Sequence, residues 1–181
     1  MNFEGILSFI TKIISRKFIY WSSKTSDVII QYNKSMNEWI PNIPKAVLHD
    51  HLDGGLRVDT LLDLASIQGY SKLPSTKKVD LLNWIEPKPN KTLAINLEAW
   101  DHTIAVMQDT NSIYRVTMEA LEDLANDGVV YAELRFAPLV HCQNGLNPKE
   151  VVDAVLNGIK DGTNQFGVLS GAILCAMRHL N

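Results

Sequence analysis

Hydrophobic and polar positions alternate along the chain, from residue 45 onward, in blocks typical of strands and helices. The run KAVLHDH, at residues 45–51, follows a turn bounded by Pro41 and Pro44 and predicts a buried strand. VVYAELRFAPLV, which is interrupted by Pro138, predicts a second strand, and VLSGAILCAMRH predicts a third. All three runs are apolar along most of their length, as expected for strands that are covered on both faces.

Between these strands, apolar residues recur at helical spacing. Helices are predicted for residues 58–70, 97–108, 111–128 and 147–167. Gly69 and Gly128 are expected to end the first and the third of them, and Asn147 is expected to cap the fourth, with Pro148 at its first helical position. This alternation predicts an α/β fold with a parallel sheet and helical crossovers. Periodicity alone is compatible with both an open doubly wound sheet and a (β/α)8 barrel, although no GxGxxG follows the first strand, which disfavours dinucleotide binding.

The composition is typical of a globular protein and indicates no macromolecular partner. The 181 residues are 46% hydrophobic and 20% charged, with a net charge of -3, which is typical of a globular chain. This balance gives no support for nucleic-acid binding or for attraction of the main domain to a membrane surface. Cys142 and Cys175 are not in a CxxC pair, so a reducing, cytoplasmic location is expected.

Residues 1–43 are interpreted as an N-terminal extension that precedes a main domain at residues 44–181. Apolar side chains recur there at helical spacing, with Lys12, Arg16 and Lys17 among them, which predicts a basic amphipathic helix. We expect this helix either to make a weak contact with a membrane or a partner, or to pack on the domain. Alternatively, the segment lies upstream of the true start, for which Met36 is a suitable residue.

The first strand ends in two histidines, within LHDHLDGG. Because side chains alternate along a strand, His49, His51 and Asp53 are expected on one side and Asp50 on the other. Two imidazoles on one face can bind a single cation, and a catalytic zinc ion takes three protein ligands and a water. The pair is therefore predicted to be part of a metal site at the carboxyl ends of parallel strands. The alternative is two polar residues at a strand end, with no metal.

These motifs resemble those of the adenosine deaminase family. PKAVLHDHLDGGLR is similar to its first-strand motif, and the resemblance continues in order through LEAWDHTIAVMQ, DLANDGVVYAELRFAPLVH and ILCAMRH. The combination of HLDGG with YAELRFAP is the most specific part of the resemblance and is similar to bacterial members of the family. The resemblance implies the N-terminal part of a (β/α)8 barrel and the hydrolytic deamination of adenosine or deoxyadenosine to inosine or deoxyinosine. It also implies one zinc ion as cofactor, with His49 and His51 as ligands, and a nucleoside substrate whose ribose is bound by Asp53.

The resemblance places the third zinc histidine and the glutamate acid/base beyond Asn181, so no catalytic acid/base is expected within these residues. A (β/α)8 barrel takes about 250 residues, whereas three strands are predicted here. The chain is therefore expected to represent the barrel up to its third strand, to fold poorly alone and to be inactive alone. Two alternatives stay open: a related amidohydrolase that acts on adenine or a modified adenosine, and a non-catalytic remnant that binds a partner.

Three further predictions concern polar residues near the strand ends. Glu133 and Arg135 share a face of the second strand and are predicted to form a buried ion pair that supports the site. His141 follows that strand and is interpreted as a solvated loop residue, with a position at the pocket mouth as the alternative. Arg178 and His179, which end the third apolar run, are expected near the substrate without an assigned role.

Overall fold

The computed structural model describes residues 43–85 and 93–177, with side chains described from residue 98 onward in the second of these ranges. Its elements are β1 (Lys45–His51), α1 (Val58–Gln68), α2 (Lys78–Ile85), α3 (Leu93–Ala105), α4 (Thr110–Asn126), β2 (Val129–Phe136), a 3-10 helix (Pro138–His141), α5 (Pro148–Phe166) and β3 (Leu169–Leu174). The predicted N-terminal helix lies outside the described residues, and so do Arg178 and His179.

The three strands form one parallel sheet in the order β1-β2-β3, which confirms the predicted alternation of strands and helices. β2 lies between the other two strands and forms hydrogen bonds with both. β3 is shorter than predicted, because it ends at Leu174 instead of continuing through the whole apolar run. α2 is a helix within a stretch that the sequence had indicated only as a short apolar piece.

One irregularity in β1 decides which side chains reach each face of the sheet. Val47 is paired with Ala132 and Asp50 with Leu134, so three steps along β1 match two steps along β2. One extra residue in a strand reverses its alternation. Val47 and Asp50 therefore lie on the face that the helices cover, whereas His51 lies on the opposite face.

The hydrophobic core lies between β2 and the helices. Ala132, Leu134 and Phe136 are at most 1% exposed, and they belong to one cluster with buried residues of α1, α4 and α5. Since these three residues alternate along β2, the residues between them, Glu133 and Arg135, point away from this core. The face of β2 opposite the helices is therefore available for polar side chains.

α4 and α5 pack closely along each other because α5 has glycines at the contact. A Cβ atom at Gly158 would lie 2.7 Å from the Cβ of Thr117, and one at Gly162 would lie 2.6 Å from Cδ1 of Leu121. Separations this short are below the van der Waals contact distance of carbon atoms. The two helices form a rigid layer behind the sheet.

Gly69 and Asn147 cap the helices for which the sequence predicted them, and Asp109 is a further cap. Gly69 ends α1 in the left-handed conformation, with φ at 65°. Asn147 caps α5 through a capping box, in which its side chain accepts from the Glu150 backbone N–H and the Glu150 carboxylate accepts from its own. Asp109 caps α4 by accepting from the backbone of Asn111 and Ser112. None of the described helices is both long enough and apolar enough to cross a membrane.

Candidate metal centre

The two histidines of β1 converge at the carboxyl end of the sheet. Their Nε2 atoms are 3.0 Å apart, and their ring centroids are 4.9 Å apart. The prediction that His49 and His51 share a face, with Asp50 on the other, is confirmed. His49 is exposed, whereas His51 is half-buried.

Arg135 of β2 faces both imidazoles. Its Nη1 lies 3.2 Å from Nε2 of His49 and 2.9 Å from Nε2 of His51, and its Nε donates to the Cys175 thiol at 2.7 Å. A guanidinium only donates hydrogen bonds, so an imidazole nitrogen that is bonded to Arg135 is the acceptor and its lone pair points to the guanidinium. The predicted ion pair between Glu133 and Arg135 is wrong, because the Glu133 carboxylate instead accepts from the hydroxyl of Tyr131.

The two imidazole nitrogens fit a single divalent cation. Two nitrogen ligands of a tetrahedral zinc ion, each about 2.0–2.1 Å from the metal, are about 3.3 Å apart, close to the observed 3.0 Å. Within the described part of the chain, no group of three histidine, cysteine, aspartate or glutamate side chains is arranged to hold a metal. The described residues therefore offer two converging imidazole nitrogens, which is fewer than the three ligands that a catalytic zinc site uses.

Asp53 lies just beyond β1 and is buried beside this pair. Its Oδ1 is 3.8 Å from Nδ1 of His51 and has no hydrogen-bond partner among the described residues. Its backbone carbonyl accepts from the hydroxyl of Thr103, at 2.6 Å, which anchors the turn after β1 to α3. Leaving a buried polar group unpaired costs about 1–3 kcal/mol, so this carboxylate is well suited to accept a hydrogen bond from a ligand.

His141 is fully buried, so its interpretation as a solvated loop residue is wrong. It is the last residue of the 3-10 helix that follows β2, and its Nε2 lies 4.0 Å from Oδ2 of Asp53. Its Nδ1 lies 3.1 Å from the carbonyl oxygen of Met107. Sequence reasoning missed the burial of this residue because local polarity suggests a loop, whereas the packing of the 3-10 helix within the fold buries the ring.

A cavity of about 190 Å³ opens beside these side chains. Its lining includes His51, Asp53, Trp100, Arg135 and Cys175. A larger hollow of about 1080 Å³ adjoins it, and Trp100 and Met177 line both. The candidate metal centre thus lies in the wall of a space that a small molecule can enter.

Trp100 is held against the turn that follows β1. Its indole lies 4.8 Å from the ring of His51, between centroids, and covers Gly54 so closely that a Cβ there would be 2.8 Å from Cε2. The first glycine of the sequence LDGG is therefore required for the close approach of an aromatic side chain. The indole shields one side of His51 from solvent.

Replacement of Gly54 by alanine is expected to displace the indole of Trp100, because the added methyl group overlaps a rigid ring. We expect a destabilisation of about 1–3 kcal/mol and weaker zinc binding, measured by urea unfolding and by chelator competition. The double variant Gly54→Ala, Trp100→Leu serves as the control, since the smaller side chain makes room for the methyl group. Equal stability of Gly54→Ala and the unmodified protein would contradict the packing argument.

The stability of the fold is expected to fall with decreasing pH because of buried histidines. Burial lowers the pKa values of His141 and of the half-buried His102 from the ordinary value of about 6.5. The unfolded chain therefore takes up these protons first as the pH falls. The contribution of these histidines to the free energy of unfolding is fully present above about pH 6.5. It is lost as the pH falls from there to the lowered pKa values that the histidines have in the folded protein. Urea unfolding between about pH 7.5 and 5.5 should show this loss, with a shallower slope in His141→Phe.

Comparison with known proteins agrees with this fold. A sequence model described as adenosine deaminase matches residues 44–181. The adenosine deaminase of Mycobacterium ulcerans is 52% identical over 146 residues, which are 77% of this chain and 40% of that protein. The chain thus spans about 40% of the length of this curated relative.

Two solved structures extend the comparison to the backbone. An adenine deaminase from Arthrobacter aurescens is 27% identical with a TM-score of 0.62, and the match covers 72% of this chain and 38% of that one. An amidohydrolase from Burkholderia ambifaria with bound Zn is 22% identical with a TM-score of 0.63, over 86% and 39% of the two chains, and it bears on the fold alone. The described strands and helices are the N-terminal portion of a (β/α)8 barrel, which confirms the predicted fold class.

Proposed function

The chain belongs to the adenosine deaminase family, and on that premise we propose that the complete protein hydrolyses the 6-amino group of adenosine or deoxyadenosine. The products are inosine or deoxyinosine and ammonia. The observation that carries this proposal is the convergence of two imidazole Nε2 atoms, 3.0 Å apart, beside a cavity with a buried carboxylate. Relatives named adenosine deaminase, at 45–52% identity, support the same activity.

His49 and His51 would hold one divalent cation, with zinc the expected ion. Their Nε2 atoms lie 3.0 Å apart, close enough for one cation to contact both. Bound there, zinc would supply a Lewis acid that makes water nucleophilic at neutral pH. A third ligand is expected beyond Asn181, in the part of the barrel that the resemblance implies.

Asp53 is proposed to bind the sugar of the nucleoside. An ionised carboxylate accepts about four hydrogen bonds, and Oδ1 of Asp53 has no hydrogen-bond partner among the described side chains. A ribose hydroxyl that donates to this oxygen would satisfy a buried acceptor and orient the nucleoside. Trp100 lines the same cavity and would exclude water from one side of it.

The proton transfers of the reaction need a general acid/base in addition to the metal ligands. Proton transfer to the leaving amine requires an acid within hydrogen-bond reach. Arg135 only donates hydrogen bonds, and the two histidines are assigned to the metal in this proposal. We propose that the acid/base is the glutamate that the resemblance places beyond Asn181.

The activity is tested on the complete protein, by following the conversion of adenosine to inosine and the release of ammonia. We expect turnover to be lost when zinc is removed with a chelator and restored when zinc is added back. The 181-residue chain, assayed alongside, is expected to be inactive because the metal ligands and the acid are incomplete. Full turnover by the metal-free complete protein would overturn the proposal.

Adenine is the second candidate substrate, because the chain also resembles an adenine deaminase of known structure. Asp53 separates the two possibilities, since adenine has no sugar for its carboxylate to bind. If adenosine is the substrate, Asp53→Asn is expected to raise the KM for adenosine and leave that for adenine unchanged. Faster turnover of adenine than of adenosine by the unmodified protein would favour the second candidate.

A further inference from the structure

The backbone of Asp53 is tied to α3 by one buried side chain. The hydroxyl oxygen of Thr103 lies 2.6 Å from the carbonyl oxygen of Asp53 and 3.0 Å from that of Trp100, and Thr103 is 5% exposed. A hydroxyl donates one hydrogen bond, and a threonine within a helix commonly gives it to a carbonyl oxygen of the preceding turn. Here the shorter of the two contacts leaves the helix. Thr103 therefore joins α3 to the turn that follows β1.

The carboxylate of Asp53 depends on the backbone for its position. Its Oδ1 has no hydrogen-bond partner among the described residues, and the nearest ring nitrogens of His51 and His141 lie beyond hydrogen-bond distance, at 3.8 and 4.0 Å. The residue before it, Leu52, still belongs to the sheet, since its N–H donates to the Arg135 carbonyl oxygen at 2.9 Å. The bond from Thr103 holds the chain at the point where it leaves the sheet.

Thr103 shares a face of α3 with Trp100, because residues three positions apart are neighbours on a helix surface. The indole of Trp100 packs on the ring of His51 and on Gly54. The same face of α3 thus contacts residues before and after Asp53, while the hydroxyl of Thr103 bonds to Asp53 itself. Asp53 and Trp100 both line the cavity of about 190 Å³, so this face of α3 determines how the carboxylate is presented there.

We propose that Thr103 is a positioning residue for the nucleoside: its hydroxyl holds the backbone of Asp53 against α3, so that the carboxylate meets the sugar in the cavity. The inference rests on the proposed function and adds to it a residue remote from the reacting atoms. Thr103 is absent from the described lining of the cavity, so its effect on the substrate passes through Asp53.

Replacement of Thr103 by valine in the complete protein tests this role, because valine keeps the shape of the side chain and loses the hydroxyl. We expect the KM for adenosine to rise roughly 10-fold, with kcat nearly unchanged, since binding of the sugar is lost equally from the substrate and the transition state. Thr103→Ser keeps the hydroxyl and is expected to retain the KM of the unmodified protein. Thr103→Ala removes the hydroxyl without placing a methyl group against the carbonyl oxygen, and it replaces the valine variant if that variant does not fold.

Thr117→Val is the matched control. Thr117 is fully buried, and its hydroxyl donates at 2.8 Å to the carbonyl oxygen of Ile113 in its own helix, α4. The same substitution therefore removes a buried hydrogen bond that does not involve the turn after β1. We expect its KM for adenosine to equal that of the unmodified protein, whatever its stability.

A double variant shows whether Thr103 acts through Asp53. Asp53→Asn alone is expected to raise the KM for adenosine, and Thr103→Val should then raise it little further, because the carboxylate that Thr103 positions is already gone. Residues that act independently would instead give effects on the free energy of binding that add. Full additivity in the double variant would overturn the inference, and so would an unchanged KM in Thr103→Val.

Hydrogen exchange in the metal-free complete protein measures the same contact without turnover. We expect the backbone amides of residues 52–56 to exchange faster in Thr103→Val than in the unmodified protein and in Thr117→Val. If the complete protein does not deaminate adenosine, the proposed function fails. The exchange rates then still decide whether Thr103 holds the turn, and equal rates in the three proteins would show that it does not.

Discussion

Replacing His51 by alanine is expected to remove both zinc binding and deaminase turnover from the complete protein. The variant leaves His49 as the one imidazole that β1 supplies at this position, since the Nε2 atoms of the two rings lie 3.0 Å apart. We expect turnover to fall by roughly 10³-fold or more, because a metal lowers the pKa of bound water from 15.7 to about 7. His49→Ala is expected to have the same effect. Zinc content per protein and initial rates with adenosine measure the two consequences.

The control for this prediction is a histidine outside the candidate metal centre. His102 lies on α3, where its Nδ1 is 2.8 Å from the hydroxyl of Tyr70. His102→Phe is expected to retain one zinc ion per protein, which separates loss of a ligand from general loss of a histidine. Full zinc content in both His49→Ala and His51→Ala would remove these residues from the metal site, whatever the activity of the variants.

Replacing Leu121 by alanine is expected to give the largest loss of stability among the helix substitutions. Leu121 is fully buried on α4, and its Cδ1 lies only 2.6 Å from where a Cβ of Gly162 would be. The truncation leaves a cavity between α4 and α5, because neither helix can move closer where Gly158 already contacts Thr117. Substitutions of this kind cost about 2–5 kcal/mol. Urea unfolding of the complete protein measures the change in the free energy of unfolding. The two proteins are compared with the same dependence of that free energy on urea concentration.

Leu156→Ala is the matched control for this substitution. Leu156 is on α5 but is 47% exposed, so the same chemical change removes little buried surface. Its effect is expected to stay within about 0.5 kcal/mol. Similar losses for the two variants would contradict the view that α4 and α5 form a close-packed layer behind the sheet.

The amino-acid pattern was sufficient to predict much of the candidate metal centre. His49 and His51 are recognisable because a strand that ends in HxH brings two imidazoles together, and the structure places their Nε2 atoms within 3.0 Å. Their assignment as metal ligands stays a prediction. His141 and the position of Arg135 could not be predicted in this way, because each depends on contacts with residues distant in the sequence.

Local chemistry alone determined the order of strands and helices, the caps Gly69 of α1 and Asn147 of α5, and the convergence of the two histidines. These features depend on residues that are neighbours in the sequence, such as Asn147 and Glu150. Tertiary structure alone decided the faces of β1. Strict alternation would put Val47 on the side of His51, whereas one extra residue in the pairing with β2 sends Val47 to the core and His51 to the cavity. Register is a property of two strands together, so no single strand determines it.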